Sequence, residues 1–321
     1  MAVGQNNLAV VFPGQGCQFV GMGAELYQRS PEARAVYDRA DETLGFSLSR
    51  LCFEGPQEAL NDTANTQPAV YVTSLALWQV LVARLGVPLP GVAFLAGHSL
   101  GEYTALTAAG ALGFEEGLRL VRCRGEAMAA AGALAPGGMA AIIGLDHEAV
   151  AEVVAEANAQ GEEVWVANDN APGQVVIAGR EEALRRAMAL ATARGAKRVV
   201  PLAVSVACHT PLMRGAVARL DEALQRAAWQ HPWAPVVSNV TAGPLAAPTE
   251  IRAALLQQLA SPVRWVESVH TLAQHGVETV VEIGPKEVLT GLIKRIEPAL
   301  KLYPVTNVES VESVIGEVWG P

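Results

Sequence analysis

The chain has 321 residues, of which 51% are hydrophobic and 17% charged, and its formal net charge is −9. That is apolar material for one large core, or for one core plus a smaller subdomain. The acidic balance and the lack of a Lys/Arg run argue against nucleic acid or an anionic membrane as partner. An anionic substrate would need locally placed Arg or Lys. Four widely spaced cysteines (Cys17, Cys52, Cys123, Cys208) form no C-x-x-C. This disfavours a zinc site or a disulfide framework and makes reduced, cytoplasmic thiols the expectation. Residues 1–8 are polar and lack the charged-then-apolar pattern of a leader. The most apolar uncharged stretch, 70–83, is too short to span a bilayer and reads as a buried helix.

In chain order, Leu8-Ala9-Val10-Val11-Phe12-Pro13 is an apolar run of strand length that ends in the turn Gly14-Gln15-Gly16. Helices are expected over 31–44, 68–85 and 114–133, with a strand over 92–96 between the last two. This alternation predicts an α/β fold with a mostly parallel sheet. The texture changes at Ala135-Pro136-Gly137-Gly138. Next come a strand over 139–145, a helix over 147–159, a strand over 164–167, a turn over 168–173, a strand over 174–178, a helix over 181–194 and a strand over 198–202. That β-α-β-β-α-β order is ferredoxin-like. Residues 137–203 are therefore read as a subdomain inserted into a discontinuous core of 1–136 and 204–321. Beyond it a strand is expected over 235–240, helices over 249–259 and 263–275, a strand over 277–283 and a helix over 286–296. A terminal helix with a frayed end follows from 310.

Gly97-His98-Ser99-Leu100-Gly101 follows the strand-like Val92-Ala93-Phe94-Leu95-Ala96 and precedes Glu102-Tyr103-Thr104-Ala105-Leu106, a helix. A G-x-S-x-G turn between strand and helix is the pattern of a nucleophile elbow. Its glycines permit close approach and its serine is held out at the top of a sheet. The pattern points to attack of Ser99 on an acyl carbonyl. The plainer alternative is a glycine-rich turn whose serine caps the helix.

A serine hydroxyl needs a base. Of six histidines, His98 adjoins Ser99, so its side chain is expected to point elsewhere. His209 follows the strand-like Val204-Ser205-Val206-Ala207-Cys208 and precedes Thr210-Pro211, where a sheet meets a loop, as sites in α/β sheets do. A loop histidine with satisfied hydrogen bonds is the alternative. No Asp or Glu is marked as third member, which leaves a backbone carbonyl to orient the imidazole. The Leu100 amide, just after the serine, is a candidate oxyanion donor, and the Gly14-Gln15-Gly16 turn could bring a second. Val121-Arg122-Cys123-Arg124-Gly125-Glu126-Ala127-Met128 sets arginines in an apolar helix. A guanidinium facing a cleft would bind a carboxylate, whereas one at the surface would pair with Glu126.

Together these residues resemble the malonyl-CoA:acyl carrier protein transacylases and the related acyltransferases of polyketide synthases. The resemblance runs over nearly the whole chain. Its motifs are Phe12-Pro13-Gly14-Gln15-Gly16, Gln67-Pro68-Ala69, Gly97-His98-Ser99-Leu100-Gly101-Glu102, Arg122-Cys123-Arg124-Gly125, Asn168-Asp169-Asn170-Ala171-Pro172-Gly173-Gln174, Cys208-His209, Gln257-Gln258-Leu259-Ala260-Ser261-Pro262-Val263-Arg264-Trp265 and Glu282-Ile283-Gly284-Pro285. It implies a hydrolase-like core with a ferredoxin-like insertion. It also implies Ser99 as nucleophile, His209 as general base and acid, Arg124 as partner of the malonyl carboxylate, and the Gln15 and Leu100 amides as oxyanion hole. Gln258 would hold the histidine through its main-chain carbonyl. Met128 and Met139 would line the acyl pocket, and Asn168 or Asn170 the substrate channel. Cys208 stands where relatives usually carry serine or phenylalanine, a position that influences acyl choice, and its small side chain leaves room beside the α-carbon.

The resemblance implies no metal or redox cofactor, with malonyl-CoA as substrate and an acyl carrier protein as partner, and a monomer is the default expectation. Carrier proteins are usually acidic, so a local basic patch is expected. Arg185, Arg186, Arg194, Lys197 and Arg198 are candidates in the inserted subdomain, and Arg264, Lys286, Lys294 and Arg295 near the C-terminus. Two other readings use the same fold: a hydrolase that releases acyl groups from carriers, and a non-catalytic scaffold.

Overall fold

The computed structural model describes residues 7–159, 161, 163–204 and 206–320. Residues 1–6 of the leader-pattern reading, Ser205 of the 204–208 run and Pro321 of the frayed end lie outside the described residues. In chain order the strands are β1 Leu8–Phe12, β2 Val92–Gly97, β3 Gly137–Ile143, β4 Val164–Ala171, β5 Gln174–Arg180 and β6 Arg198–Pro201. Then come β7 Val236–Val237, β8 Pro244–Leu245, β9 Val263–Arg264, β10 Thr279–Ile283 and β11 Lys301–Val305.

The first sheet has the order β11-β10-β1-β2-β7-β8. All its pairs are parallel except β7 with β8. Its central strands are apolar at every position because both faces are covered. Val10, Phe12 and Leu95 point into the main core, among helices Pro31–Leu44, Thr63–Leu85 and Phe114–Leu134. Ala9, Val11 and Ala96 point the other way, onto Trp265, Val269 and Ile293. The carboxyl ends of β1 and β2 lie side by side in the middle of this sheet, where α/β proteins bind their ligands.

The second sheet has the order β6-β3-β5-β4-β9. Residues 137–203 supply four of its strands, all paired antiparallel. The fifth, β9, comes from further down the chain and pairs parallel to β4. One face, with Ala140, Ile142, Val175 and Ile177, is covered by helices His147–Asn158 and Glu181–Ala193. The other face turns Met139, Val176 and Ala178 toward the main core.

Some elements differ from expectation. The turn expected over 168–173 shrinks to Pro172-Gly173, because β4 runs on to Ala171 with β-bulges that let polar residues continue the ladder. Residues 263–264 are strand, since they pair with Asn168 and Asp169, and the helix starts at Trp265. The described residues of 204–208 are not strand: Val204 donates only to Leu202 O in a turn, and the segment crosses between the sheets. The helix expected from 68 begins at Thr63, where Asp62 accepts from the Ala64 amide. At Thr63–Leu85 it is the one described helix long and apolar enough to cross a membrane, but 78% of its most apolar window is buried inside the protein. It is a core helix.

Candidate active site

Ser99 sits at the end of β2 with φ 53° and ψ −106°, immediately before helix Leu100–Ala108. L-residues rarely adopt that conformation, so it has to be held from outside. Three approaches hold it. A methyl group on Gly97 would overlap the Gly101 backbone, one on Gly101 the Phe12 carbonyl, and one on Gly14 the His98 carbonyl. The His98 amide donates to Phe12 O at 3.0 Å, tying the turn to β1. Asn239, buried in the loop after β7, accepts from the Ser99 amide through Oδ1 at 2.6 Å and donates to Gly97 O through Nδ2 at 2.7 Å.

His209 is the second strained residue, at φ 61°. Its amide donates to Leu259 O at 3.1 Å, and its ring Nδ1 lies 2.9 Å from Gln258 O. A carbonyl only accepts, so the proton is assigned to Nδ1 and Nε2 is left as the acceptor. Nε2 lies 2.8 Å from Ser99 Oγ. Burial, helped by the nearby Arg124 charge, pulls the imidazole pKa down to about 3. A neutral imidazole with a bare nitrogen toward a hydroxyl can take its proton.

Arg124 is only 1% exposed. Its Nη1 donates to Gln67 Oε1 at 2.9 Å, and its Nη2 to Ser99 Oγ and Gln258 Oε1, each at 3.1 Å. Its guanidinium lies 5.6 Å from the centre of the Tyr103 ring. The Nε has no hydrogen-bond partner, and none of the ion pairs among the described residues includes Arg124. Arg122 behaves differently: it pairs with Glu126 at 2.7 Å and donates to Asn65. The two arginines left open by the sequence are thus separated, one surface-paired and one buried at the serine.

A pocket of ≈ 170 Å³ between the two sheets brings most of the expected residues together. Gln15, Ser99 and His209 line it from the first sheet's side, with Arg124 and Met128 from helix Phe114–Leu134. Met139, Asn168 and Asn170 line it from the second sheet, and Cys208 from the crossing segment. Leu100 is fully buried behind the serine, and Gln258 touches the site through hydrogen bonds. Burial pushes the Cys208 thiol up to about 11, which keeps it a small neutral wall.

His98 departs from expectation. It lines the same pocket, 2.7 Å from Asn170 Oδ1 and edge-on to Trp265, because β4 comes over the turn. The sequence alone assigns no role to Gln67, Glu102 or Asn239. Gln67 lies in Gln67-Pro68-Ala69, and Glu102 ends Gly97-His98-Ser99-Leu100-Gly101-Glu102. Asn239 had only the signal of a polar pair, Ser238-Asn239, ending an apolar run. Of the basic candidates for a docking patch, Arg194 is paired with Glu152 and Glu156, Arg185 with Glu181 and Glu182, and Arg264 with Glu267. Lys286 lies over the Phe19 ring, and Arg295 donates to Gln174.

The acyl transferase domain family matches residues 9–316. The malonyl CoA-acyl carrier protein transacylase of Bacillus subtilis (strain 168) is 44% identical over 310 residues, covering 97% of this chain and 96% of that protein. Among solved structures, an acyl carrier protein S-malonyltransferase from Vibrio cholerae is 45% identical with a TM-score of 0.90, over 96% of this chain and 99% of that one. A malonyl-transacylase solved in complex with its type II PKS acyl-carrier protein is 42% identical with a TM-score of 0.93, over 97% and 99%. The chain therefore belongs to the acyl transferase domain family, among the malonyl CoA-acyl carrier protein transacylases.

Proposed function

We propose that this chain moves a malonyl group from malonyl-CoA to the phosphopantetheine thiol of an acyl carrier protein, for fatty-acid or polyketide synthesis. The observation that carries this reading is Arg124: a buried guanidinium with no ion-pair partner among the described residues, 3.1 Å from a serine that faces a neutral histidine. Glu102 reaches the guanidinium only through Gln258 and makes no direct ion pair with it, so a substrate carboxylate would supply a direct partner. The names of the relatives point to the same diacid.

In this reading Ser99 Oγ attacks the thioester carbon while His209 Nε2 takes its proton. The Gln15 and Leu100 amides receive the oxyanion. The tetrahedral adduct collapses, the C–S bond breaks, and His209 returns the proton to the departing CoA sulfur. Malonyl-Ser99 remains, with its carboxylate on Arg124. The carrier thiol then attacks in a mirror-image step, giving ping-pong kinetics. The Gln258 carbonyl accepts from His209 Nδ1, so Nε2 is the nitrogen that takes up and returns the proton. Met128, Met139 and Cys208 shape the acyl pocket, and Asn168 and Asn170 its channel. Hydroxyl, imidazole and amides suffice for each step, without a cofactor. Residues 137–203 serve as an inserted subdomain that roofs a discontinuous core of 1–136 and 204–321. The four free cysteines fit a reducing cytoplasmic compartment.

Intact mass after brief mixing with malonyl-CoA tests the reading. A malonyl-sized adduct that is absent in Ser99→Ala, and that moves to an added acyl carrier protein, is the expected result. Free malonate with no adduct would mean a hydrolase instead.

A further inference from the structure

The elbow helix carries a carboxylate that the mechanism above does not use. Glu102 lies in the first turn of Leu100–Ala108 and is 1% exposed. A first-turn carboxylate ordinarily complements the helix dipole at a wet surface, but this one is in the core. Its Oε2 accepts from Gln258 Nε2 at 2.7 Å and from the Asn239 amide at 3.2 Å. Gln258 Nε2 also donates to Ser99 O at 2.9 Å, and Gln258 Oε1 accepts from Arg124 at 3.1 Å.

A side-chain amide has one donor end and one acceptor end, and its neighbours decide which faces where. Arg124 only donates, so it requires the oxygen of Gln258. Glu102 and Ser99 O only accept at this point, so they require the nitrogen. Removing the Glu102 acceptor leaves the Gln258 nitrogen half-satisfied in the core and weakens the preference for this orientation. The opposite orientation would aim an N–H at the Arg124 guanidinium. Burial raises Glu102 to about 7, so near neutral pH it exists in both protonation states, and an oxygen that accepts without a proton of its own is available in each.

We propose that Glu102 is a positioning residue for substrate selection: by accepting the Gln258 amide it keeps Gln258 Oε1 on Arg124 and the guanidinium in place for the substrate carboxylate. The proposal rests on the reading that Arg124 binds that carboxylate. It concerns the acceptor oxygen of Glu102 and not its charge, which gives a conservative control.

The test compares acylation of Ser99 by malonyl-CoA and by acetyl-CoA, which has no carboxylate, by quench-flow and intact mass on the full chain. In Glu102→Leu the malonyl-over-acetyl ratio should fall about tenfold, through KM for malonyl-CoA; acetyl transfer should fall by less, from loss of the acceptor for the Asn239 amide. Glu102→Gln, which keeps an acceptor oxygen, should retain the parent ratio. Gln258→Met should reproduce the drop, and combining it with Glu102→Leu should add little, because both act on one contact. Equal loss with both thioesters, an unchanged ratio, or a Glu102→Gln variant as impaired as Glu102→Leu would overturn the proposal. If Glu102→Leu does not fold, Glu102→Met, which fills the space without an acceptor oxygen, decides by the same ratio. Failure of the underlying reading looks different: Arg124→Ala would then leave the parent ratio unchanged.

Discussion

Arg124 touches the serine that faces the histidine: its Nη2 lies 3.1 Å from Ser99 Oγ, while His209 Nε2 lies 2.8 Å from the same oxygen. The proposed nucleophile, base and carboxylate clamp thus meet at one atom. The arrangement measures distance as well as charge. A carboxylate seated on Arg124 can be only a short way from a carbonyl poised over Oγ, and malonyl separates the two by one methylene. A longer diacid would have to buckle to satisfy both. Succinyl-CoA should therefore acylate Ser99 at least about tenfold more slowly than malonyl-CoA, read by intact mass on a quench time course. Comparable rates would mean that the clamp does not set acyl length.

Replacing Arg124 by Ala should lower malonylation by on the order of a hundredfold, through loss of a buried charge-assisted pair. Acetylation should fall far less, because an acyl group without a carboxylate leaves the guanidinium unpaired in the parent at a cost of about 1–3 kcal/mol. Lysine should rescue poorly: an ammonium cannot reach Gln67, Gln258 and Ser99 together from one planar group. Competition between the two thioesters in one mixture checks the direction. An unchanged malonyl preference in Arg124→Ala would overturn the assignment.

The pH dependence of acylation follows from His209. As the proposed base, His209 must be neutral, and burial first, then the Arg124 charge, depresses its pKa from the ordinary histidine value to about 3. A depressed pKa extends the neutral form toward acid, so activity is lost only as pH falls through the lowered value. Single-turnover malonylation should stay flat from about pH 7.5 down to about pH 5, without the usual histidine limb near 6.5. In Arg124→Ala the limb should move up but remain below the ordinary value, since burial is the larger cause. A wild-type limb near 6.5 would mean that the histidine is wetter than its surroundings indicate.

Local signals and long-range ones were not equally legible. The Gly97-to-Gly101 turn could be read because its spacing is contiguous and the apolar periodicity around it changes from strand to helix. The second sheet was readable as far as its four local strands, but β9 was not, since two residues pair with β4 only through tertiary contact. β11 does not read as a strand because Pro304 interrupts its pattern, a residue that an edge strand tolerates. In the site, Ser99, His209 and Arg124 stood out as chemistry-bearing types in informative places. Asn239, Gln67 and the Glu102–Gln258 pair did not. Their partners lie 140, 57 and 156 residues away in the chain, and nothing local marks a buried amide as a brace.

Asn239 is the brace whose removal should separate folding from chemistry. Its side chain joins both ends of the elbow, at the Ser99 amide and the Gly97 carbonyl, and both bonds are short. Asn239→Ala leaves those two backbone groups in a dry place without partners, which costs about 1–3 kcal/mol each when nothing replaces them. Partial compensation by a water entering the vacated space would bring the net loss to about 2–3 kcal/mol, a fall in Tm of roughly 3–5 °C for a chain of this size. The strained Ser99 backbone should relax at the same time, because the amide that fixes it has lost its acceptor. Acylation should then fall by at least about tenfold even well below the new Tm, with malonyl and acetyl transfer affected alike, since the clamp at Arg124 is untouched. That equal loss contrasts with the selective loss expected from Arg124→Ala. Thermal unfolding beside the two-thioester competition measures both quantities on one preparation. A variant that is destabilised but fully active would show that the elbow holds its shape without Asn239.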